Sequence, residues 1–147
     1  MRDESECPFC RIIDGSDADA QIVAEAGGWV AFFPLHPATR GHTLVVPRAH
    51  VRDFWEAGAA TAADLAIGCV AVGRALSDVL EPEGMNLITS AGDAAEQTIF
   101  HLHLHVVPRW HGDDIDRIWP PESESSETAS PDLVREVREV LAASQGD

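Results

Sequence analysis

HLHLHVVP, residues 101–108, alternates histidine with leucine before closing on two valines and a proline. In an extended chain, neighbouring side chains point to opposite faces, and every second one returns to the same face about 6.6–7 Å further on. The alternation therefore predicts a strand over IFHLHLHVV, with Leu102, Leu104 and Val106 against a core. His101, His103 and His105 then line the opposite face. A solvated polar face more often carries Thr, Lys, Glu or Arg, and the whole chain has only seven histidines. Perturbable imidazoles gather at functional sites. On spacing alone, a metal site and nucleophilic chemistry both remain open, since His-x-His on a strand supplies either.

Outward from this strand, QIVAEA and WVAFF, split by Gly27 and Gly28, read as a hairpin. HTLVVP (42–47) is a third strand, β-branched and stopped by Pro47. Between Thr61 and Leu80 the apolar period changes, and Leu65, Cys69, Val72, Leu76 and Leu80 recur at helical steps. Thr61 with Asp64 resembles a capping pair, and EPEG ends the helix. MNLITS is a fourth strand, joined by the loop AGDAAEQ to the histidine strand, the fifth. PPESESSETAS (120–130) is acidic and Ser-rich without apolar anchors, which predicts a linker. SPDLVREVREVLAA then reads as a terminal helix, capped by Ser130 with Pro131 at its first position. The expected fold class is α+β: a mainly antiparallel five-stranded sheet, one central helix and a C-terminal helix.

At 147 residues the chain fits one main domain. Ten basic residues, all Arg, against 25 acidic ones give a net charge of −15. Such a field opposes nucleic acid and anionic membrane as partners. A phosphate-bearing small molecule stays compatible, because backbone NH groups and local Arg act at short range. No apolar run reaches the roughly 20 residues of a membrane span, and MRDESECPFC has no signal-peptide core. With the odd count of three cysteines, Cys7, Cys10 and Cys69, the expectation is a reducing cytoplasm.

HLHLHVV fits His-φ-His-φ-His-φ-φ, with φ apolar, and so resembles the signature of the histidine triad (HIT) superfamily of nucleotide hydrolases and transferases. CPFCRII, PATRGHTLVVPRAHV and EQT extend the likeness from about Cys7 to Arg109. The CPFC start is similar to that of bacterial members with an N-terminal CxxC. The resemblance implies a HIT domain over residues 1–112, an acidic Ser/Pro-rich linker over 113–130, and a C-terminal helix over 131–147 that packs on or extends the same domain. It also implies a phosphoanhydride or phosphoramidate hydrolase acting through a covalent nucleotidyl-histidine, with nucleotidyltransferase or phosphorylase chemistry as a variant. Dinucleoside polyphosphates and nucleoside phosphoramidates are the expected substrates.

By the same resemblance His103 is the nucleophile, and His105 meets the phosphate oxygens and the leaving atom. Transferases acting on sugar phosphates carry Gln at that third position, so His105 places the chain with the hydrolases. Gln97 and Thr98 match phosphate and leaving-group contacts, and His42 matches a histidine near the active site. Phe9, Ile12, Phe32 and Leu35 match the apolar walls around the base. Asn86 and Ser90 match further nucleotide contacts. Three positions depart from the pattern. Pro34 replaces the Asp that holds the ribose diol, with His36 as a neighbouring substitute; Ser90 replaces an Asn; and Glu96 replaces a Gly.

Cys7-x-x-Cys10 has metal-ligand spacing, though no second tight pair follows it. Bacterial HIT proteins with this start complete a tetrahedral structural zinc site at positions matching His50 and His101; packed thiols are the other reading. Catalysis by a free His103 needs no cofactor. Arg48, Arg52 and Arg109 can meet distal phosphates or form a salt-bridged face. Trp110 and the run from Trp119 match a region that helps choose the leaving group, often across a dimer interface. A two-fold homodimer through the central helix and sheet edge is implied. Two other functions remain open at this stage. One is a nucleotide- or zinc-binding module without turnover, and the other is a metal-dependent hydrolase using the three histidines as ligands.

Overall fold

Gln21–Glu25 (β1) and Trp29–Phe33 (β2) form the expected hairpin, pairing antiparallel with Ile22 opposite Phe32. Thr43–Pro47 (β3), Gly84–Ile88 (β4) and Leu104–Arg109 (β5) complete a sheet ordered β1-β2-β3-β5-β4, with every pairing antiparallel. The structure, a computed structural model, describes residues 6–119, 121 and 128–144. Most of the expected PPESESSETAS linker therefore lies outside the described residues.

Alternation along the strands separates two cores. Trp29, Ala31, Val45, Leu102, Leu104 and Val106 point to one face, where they meet Leu65, Cys69, Val72 and Leu76 of the helix Ala59–Leu80 (α2). Val30, Phe32, Leu44 and Val46 point to the other and meet Phe9 and Ile12 of a short helix, Pro8–Ile13 (α1). The CPFCRII segment is helical from Pro8, which supplies a ready-made first helical φ.

α2 is long and apolar enough to cross a membrane by length and mean hydropathy, but it is the helix of the sheet's core. It starts at Ala59 with Gly58 as its N-cap and no side-chain cap bond, so Thr61 and Asp64 are not the expected capping pair. Gly68 lets α2 approach the sheet, because a Cβ there would stand 2.7 Å from the Trp29 ring.

The chain divides into two compact units, Met1–Ile115 and Asp116–Asp147. The second carries the helix Pro131–Ser144 (α3), where Ser130 Oγ accepts the Leu133 N–H at the N-terminus.

Candidate functional site

The histidine strand begins later than its alternation predicts. β5 starts at Leu104, and the β3–β5 pairing runs only from Thr43–Val106 to Val45–Leu104. His101 and His103 therefore sit just before the sheet ladder. Side chains and one backbone bond replace the ladder there. The Leu102 N–H donates to the Val51 carbonyl at 2.6 Å, and the His101 Nε2–H donates to the Pro47 carbonyl. Facing is nevertheless as expected: Leu102 and Leu104 enter the α2-side core, while the three imidazoles meet the α1 side.

Each ring has a tautomer fixed by its partner. The His103 Nδ1 lies 2.7 Å from the His101 carbonyl, which can only accept, so Nδ1 carries the proton and Nε2 keeps its lone pair. The His101 Nε2 lies 2.9 Å from the Pro47 carbonyl, so there Nε2 is protonated and Nδ1 is bare. At His42, Nδ1 accepts the Ala38 N–H at 3.0 Å, leaving Nε2–H to donate to His105 Nδ1 at 2.9 Å. That leaves the His105 proton on Nε2 when the ring is neutral. Burial lowers the pKa of all four rings: His105 to about 4, with repulsion from His103 and His42 adding to it, and His101 to about 4. For His42 and His103 burial is again the first cause, partly opposed at His103 by the carbonyl bond. The four imidazoles are thus neutral at pH 7.

Phe9 packs edge-on against His103 at 5.2 Å, His101 at 5.9 Å and Phe32 at 5.3 Å. Phe9, Ile12 and Phe32 thus form an apolar wall beside the His103 ring. Leu35 does not join them. It is 90% exposed and lines a separate apolar groove of about 800 Å³ between α2, β1 and residues 33–43. The turn after Phe33 carries it away from the α1-side wall. Gln97 is buried, and its carboxamide is committed to backbone: Oε1 accepts the Gly92 N–H, while Nε2 donates to the carbonyls of Arg52 and Ile99. It holds the loop before the triad rather than offering its amide outward. Thr98, beside it, is exposed. Glu96 adopts a left-handed φ of 64°, which explains why glycine suits that position.

Asn86 accepts from Arg109, whose guanidinium also chelates Asp113 and reaches the Ile115 carbonyl. Four of the five Arg109 N–H groups are thereby engaged within the chain. Arg48 pairs with Glu25, and Arg52 lies near Asp53 and Glu56. Sequence reasoning missed Thr89, whose hydroxyl donates to the His103 carbonyl at 3.0 Å. It also missed the carbonyls of Pro47, Val51 and His101, which no side-chain pattern can announce.

Cys7, Cys10, His50 and His101 bring their ligand atoms within 4.8 Å of one another. The sulfur–nitrogen separations are 3.5 Å for Cys7–His101 and Cys10–His101, and 3.3 Å for Cys10–His50. Tetrahedral zinc, with Zn–S about 2.3 Å and Zn–N about 2.0 Å, sets its sulfur and nitrogen ligands about 3.5 Å apart. The donor set and its spacing fit such an ion. Among the described residues this is the one cluster of metal-ligating type, and it takes only the first of the three histidines. A metal held by all three is not what the geometry forms.

The HIT domain family model matches residues 16–112. Protein hit of Bacillus subtilis is 33% identical over 120 residues, covering 81% of this chain and 82% of that protein. The adenylylsulfatase HINT3 of Arabidopsis thaliana is 28% identical over 120 residues, covering 82% of this chain and 59% of that one. A zinc-bound histidine triad family protein from Mycobacterium smegmatis, solved by crystallography, superposes with a TM-score of 0.71 at 34% identity, covering 98% and 99% of the two chains.

Proposed function

The chain belongs to the HIT domain family, and from that premise we propose that it hydrolyses a phosphoanhydride or phosphoramidate bond of a nucleotide through a covalent nucleotidyl-His103. The observation that carries this reading is the His103 tautomer: the 2.7 Å bond to the His101 carbonyl holds the proton on Nδ1 and leaves Nε2 as the nucleophile. Nε2 attacks the α-phosphorus, and the bond from phosphorus to the leaving oxygen or nitrogen breaks. Its electron pair departs with the leaving group, which takes a proton from solvent. Water then displaces the imidazole from phosphorus, loses a proton to solvent and returns the lone pair to Nε2. Splitting one displacement into two is the gain of covalent catalysis.

His105 presents Nε2–H to the phosphate oxygens and the leaving atom, where charge builds in the transition state. His42 keeps that proton in place by donating to the other nitrogen. Phe9, Ile12 and Phe32 take the base, and Thr98 contributes a neutral hydroxyl. Asn86 and Ser90 lie on the β4 side of the nucleotide, and Gln97 shapes the phosphate loop from behind. A relative named an adenylylsulfatase supports a nucleotidyl substrate. Dinucleoside polyphosphates and nucleoside phosphoramidates are the first substrates to try.

Cys7, Cys10, His50 and His101 would hold zinc in a closed four-ligand site. When bound, zinc supplies structural cross-linking there, not an open coordination position. The zinc-bound relative from Mycobacterium smegmatis supports that assignment. The working unit is a homodimer in the cytoplasm, with neither nucleic acid nor membrane as partner.

The test is turnover of labelled diadenosine tetraphosphate and of a nucleoside phosphoramidate by wild type and His103→Ala, with and without chelator. Activity that is retained while the chelator leaves the closed zinc site loaded, and that disappears in His103→Ala, is the expected result. Turnover by His103→Ala, or nucleotide binding without turnover by wild type, defeats the reading.

A further inference from the structure

The metal cluster and the nucleophile meet in one peptide group, the one joining His101 to Leu102. Its carbonyl accepts the His103 Nδ1–H at 2.7 Å, and its N–H donates to the Val51 carbonyl at 2.6 Å. Orientation of that single plane therefore decides which His103 nitrogen keeps a lone pair. The plane lies outside the sheet, since the β3–β5 ladder stops at Val45–Leu104. Nothing in the regular hydrogen-bonding of the strands holds it.

What does hold it are cross-links between residues 47–51 and 101–102. His101 is fully buried, and its Nε2–H is tied to the Pro47 carbonyl. Its bare Nδ1 faces the sulfurs of Cys7 and Cys10. His50, the neighbour of Val51, turns its Nδ1 to Cys10 at 3.3 Å. An ion in this cluster would bind both sides of the His101–Leu102 plane together. It would also fix α1 on either side of Phe9, whose ring packs on the His103 ring. α1 has only six residues and no side-chain cap, so its place depends on the packing of Phe9 and Ile12 and on this cluster.

Resting on the zinc reading above, we infer that Cys7, Cys10 and His50 are positioning residues for the reaction: through the metal they fix the His101–Leu102 peptide, and through that peptide the Nδ1–H tautomer of His103. They touch no substrate. Their contribution is to keep the Nε2 lone pair exposed and aimed, as outer-shell partners do for other tuned imidazoles.

The structure provides its own control. His105 lies inside the β5 ladder, and its tautomer is set by His42, far from the cysteines in the bonding network. Side-chain 15N spectra of the full chain, zinc-loaded and then zinc-stripped, read both rings at once. Loaded protein should show His103 as a single Nδ1–H tautomer. Stripping should convert its ring signals to a tautomer mixture, zinc readdition should restore them, and His105 should stay constant throughout. An unchanged His103 in the stripped, folded protein overturns the inference, and so does an equal change in both rings.

Should stripping unfold the chain, His50→Ala is measured loaded with zinc, three ligands remaining. Its single-turnover nucleotidylation rate at saturating substrate should fall on the order of 10–100-fold. The dissociation constant for AMP should move far less. Parallel loss of rate and binding, or loss of neither, defeats the inference. Zinc titration against a chromophoric chelator separates the two layers of the argument. Failure to bind zinc removes the metal reading itself, whereas tight zinc with an indifferent His103 removes only the coupling.

Discussion

At the scale of the residue, the proposed chemistry depends on neutral imidazoles, and burial favours that form. His42 and His105 face each other, with His103 as the third titratable group beside them, and burial lowers the pKa of all three, that of His105 to about 4. A lowered histidine pKa extends the neutral form to lower pH. It also means that the unfolded chain, titrating near 6.5, binds protons that the folded chain refuses. Stability from this burial is therefore complete above about pH 6.5 and is lost as pH falls towards the folded values. The acid limb of kcat/KM should fall below the pH at which free imidazole titrates. In His42→Phe, His105 loses the donor that holds its proton on Nε2. That variant should lose about 10–100-fold in kcat/KM, an outer-shell effect. A wild-type acid limb at or above pH 6.5, or a fully active His42→Phe, would contradict the assignment of these two rings.

At the scale of the element, α2 and β2 approach closely because Gly68 has no side chain. Replacing glycine with alanine inside a helix normally gains up to about 1 kcal/mol. At Gly68 the new methyl would stand 2.7 Å from the Trp29 ring and 3.0 Å from Val45, both in the α2-side core. Overpacking typically costs about 1–3 kcal/mol, so the clash outweighs the propensity gain. Gly68→Ala should lower the urea midpoint without changing the slope, whereas an unchanged or raised midpoint would mean that α2 sits further from the sheet. Element boundaries were less legible than element identity. The strands, α2 and α3 follow from apolar periodicity and turn residues. The late start of β5 follows from bonds made to distant groups, the carbonyls of Val51 and Pro47, and α2 starts at Ala59 behind Gly58, an N-cap with no side chain to announce it.

At the scale of the whole molecule, β4 is an edge strand, and Leu87 on it is 58% exposed. Ile67 and Val70 on α2 are also exposed, at 63% and 52%. An unpaired sheet edge and exposed apolar side chains are features that a partner would cover. The proposed homodimer predicts sedimentation equilibrium at twice the chain mass of 15.8 kDa. Leu87→Lys should shift that mass towards the monomer. A monomer at tens of micromolar wild-type protein would remove the dimer from the proposal. With a net charge of −15 per chain, pairing should weaken at low salt, where like-charge repulsion is least screened.

The sequence by itself determined the five strands, the helix that covers one face and the face on which three imidazoles stand. Periodicity and turn chemistry are local, and a single chain displays them directly. It also marked Cys7, Cys10, His50 and His101 as one group through likeness to a family, and tertiary structure brought their ligand atoms together. Tertiary structure alone decided the tautomers, the commitment of Gln97 to backbone and the separation of Leu35 from the apolar wall of Phe9, Ile12 and Phe32. Carbonyl and N–H groups are the same at every residue, so their pairing is written in no side-chain pattern. At His103, one such carbonyl selects the nitrogen that keeps its lone pair.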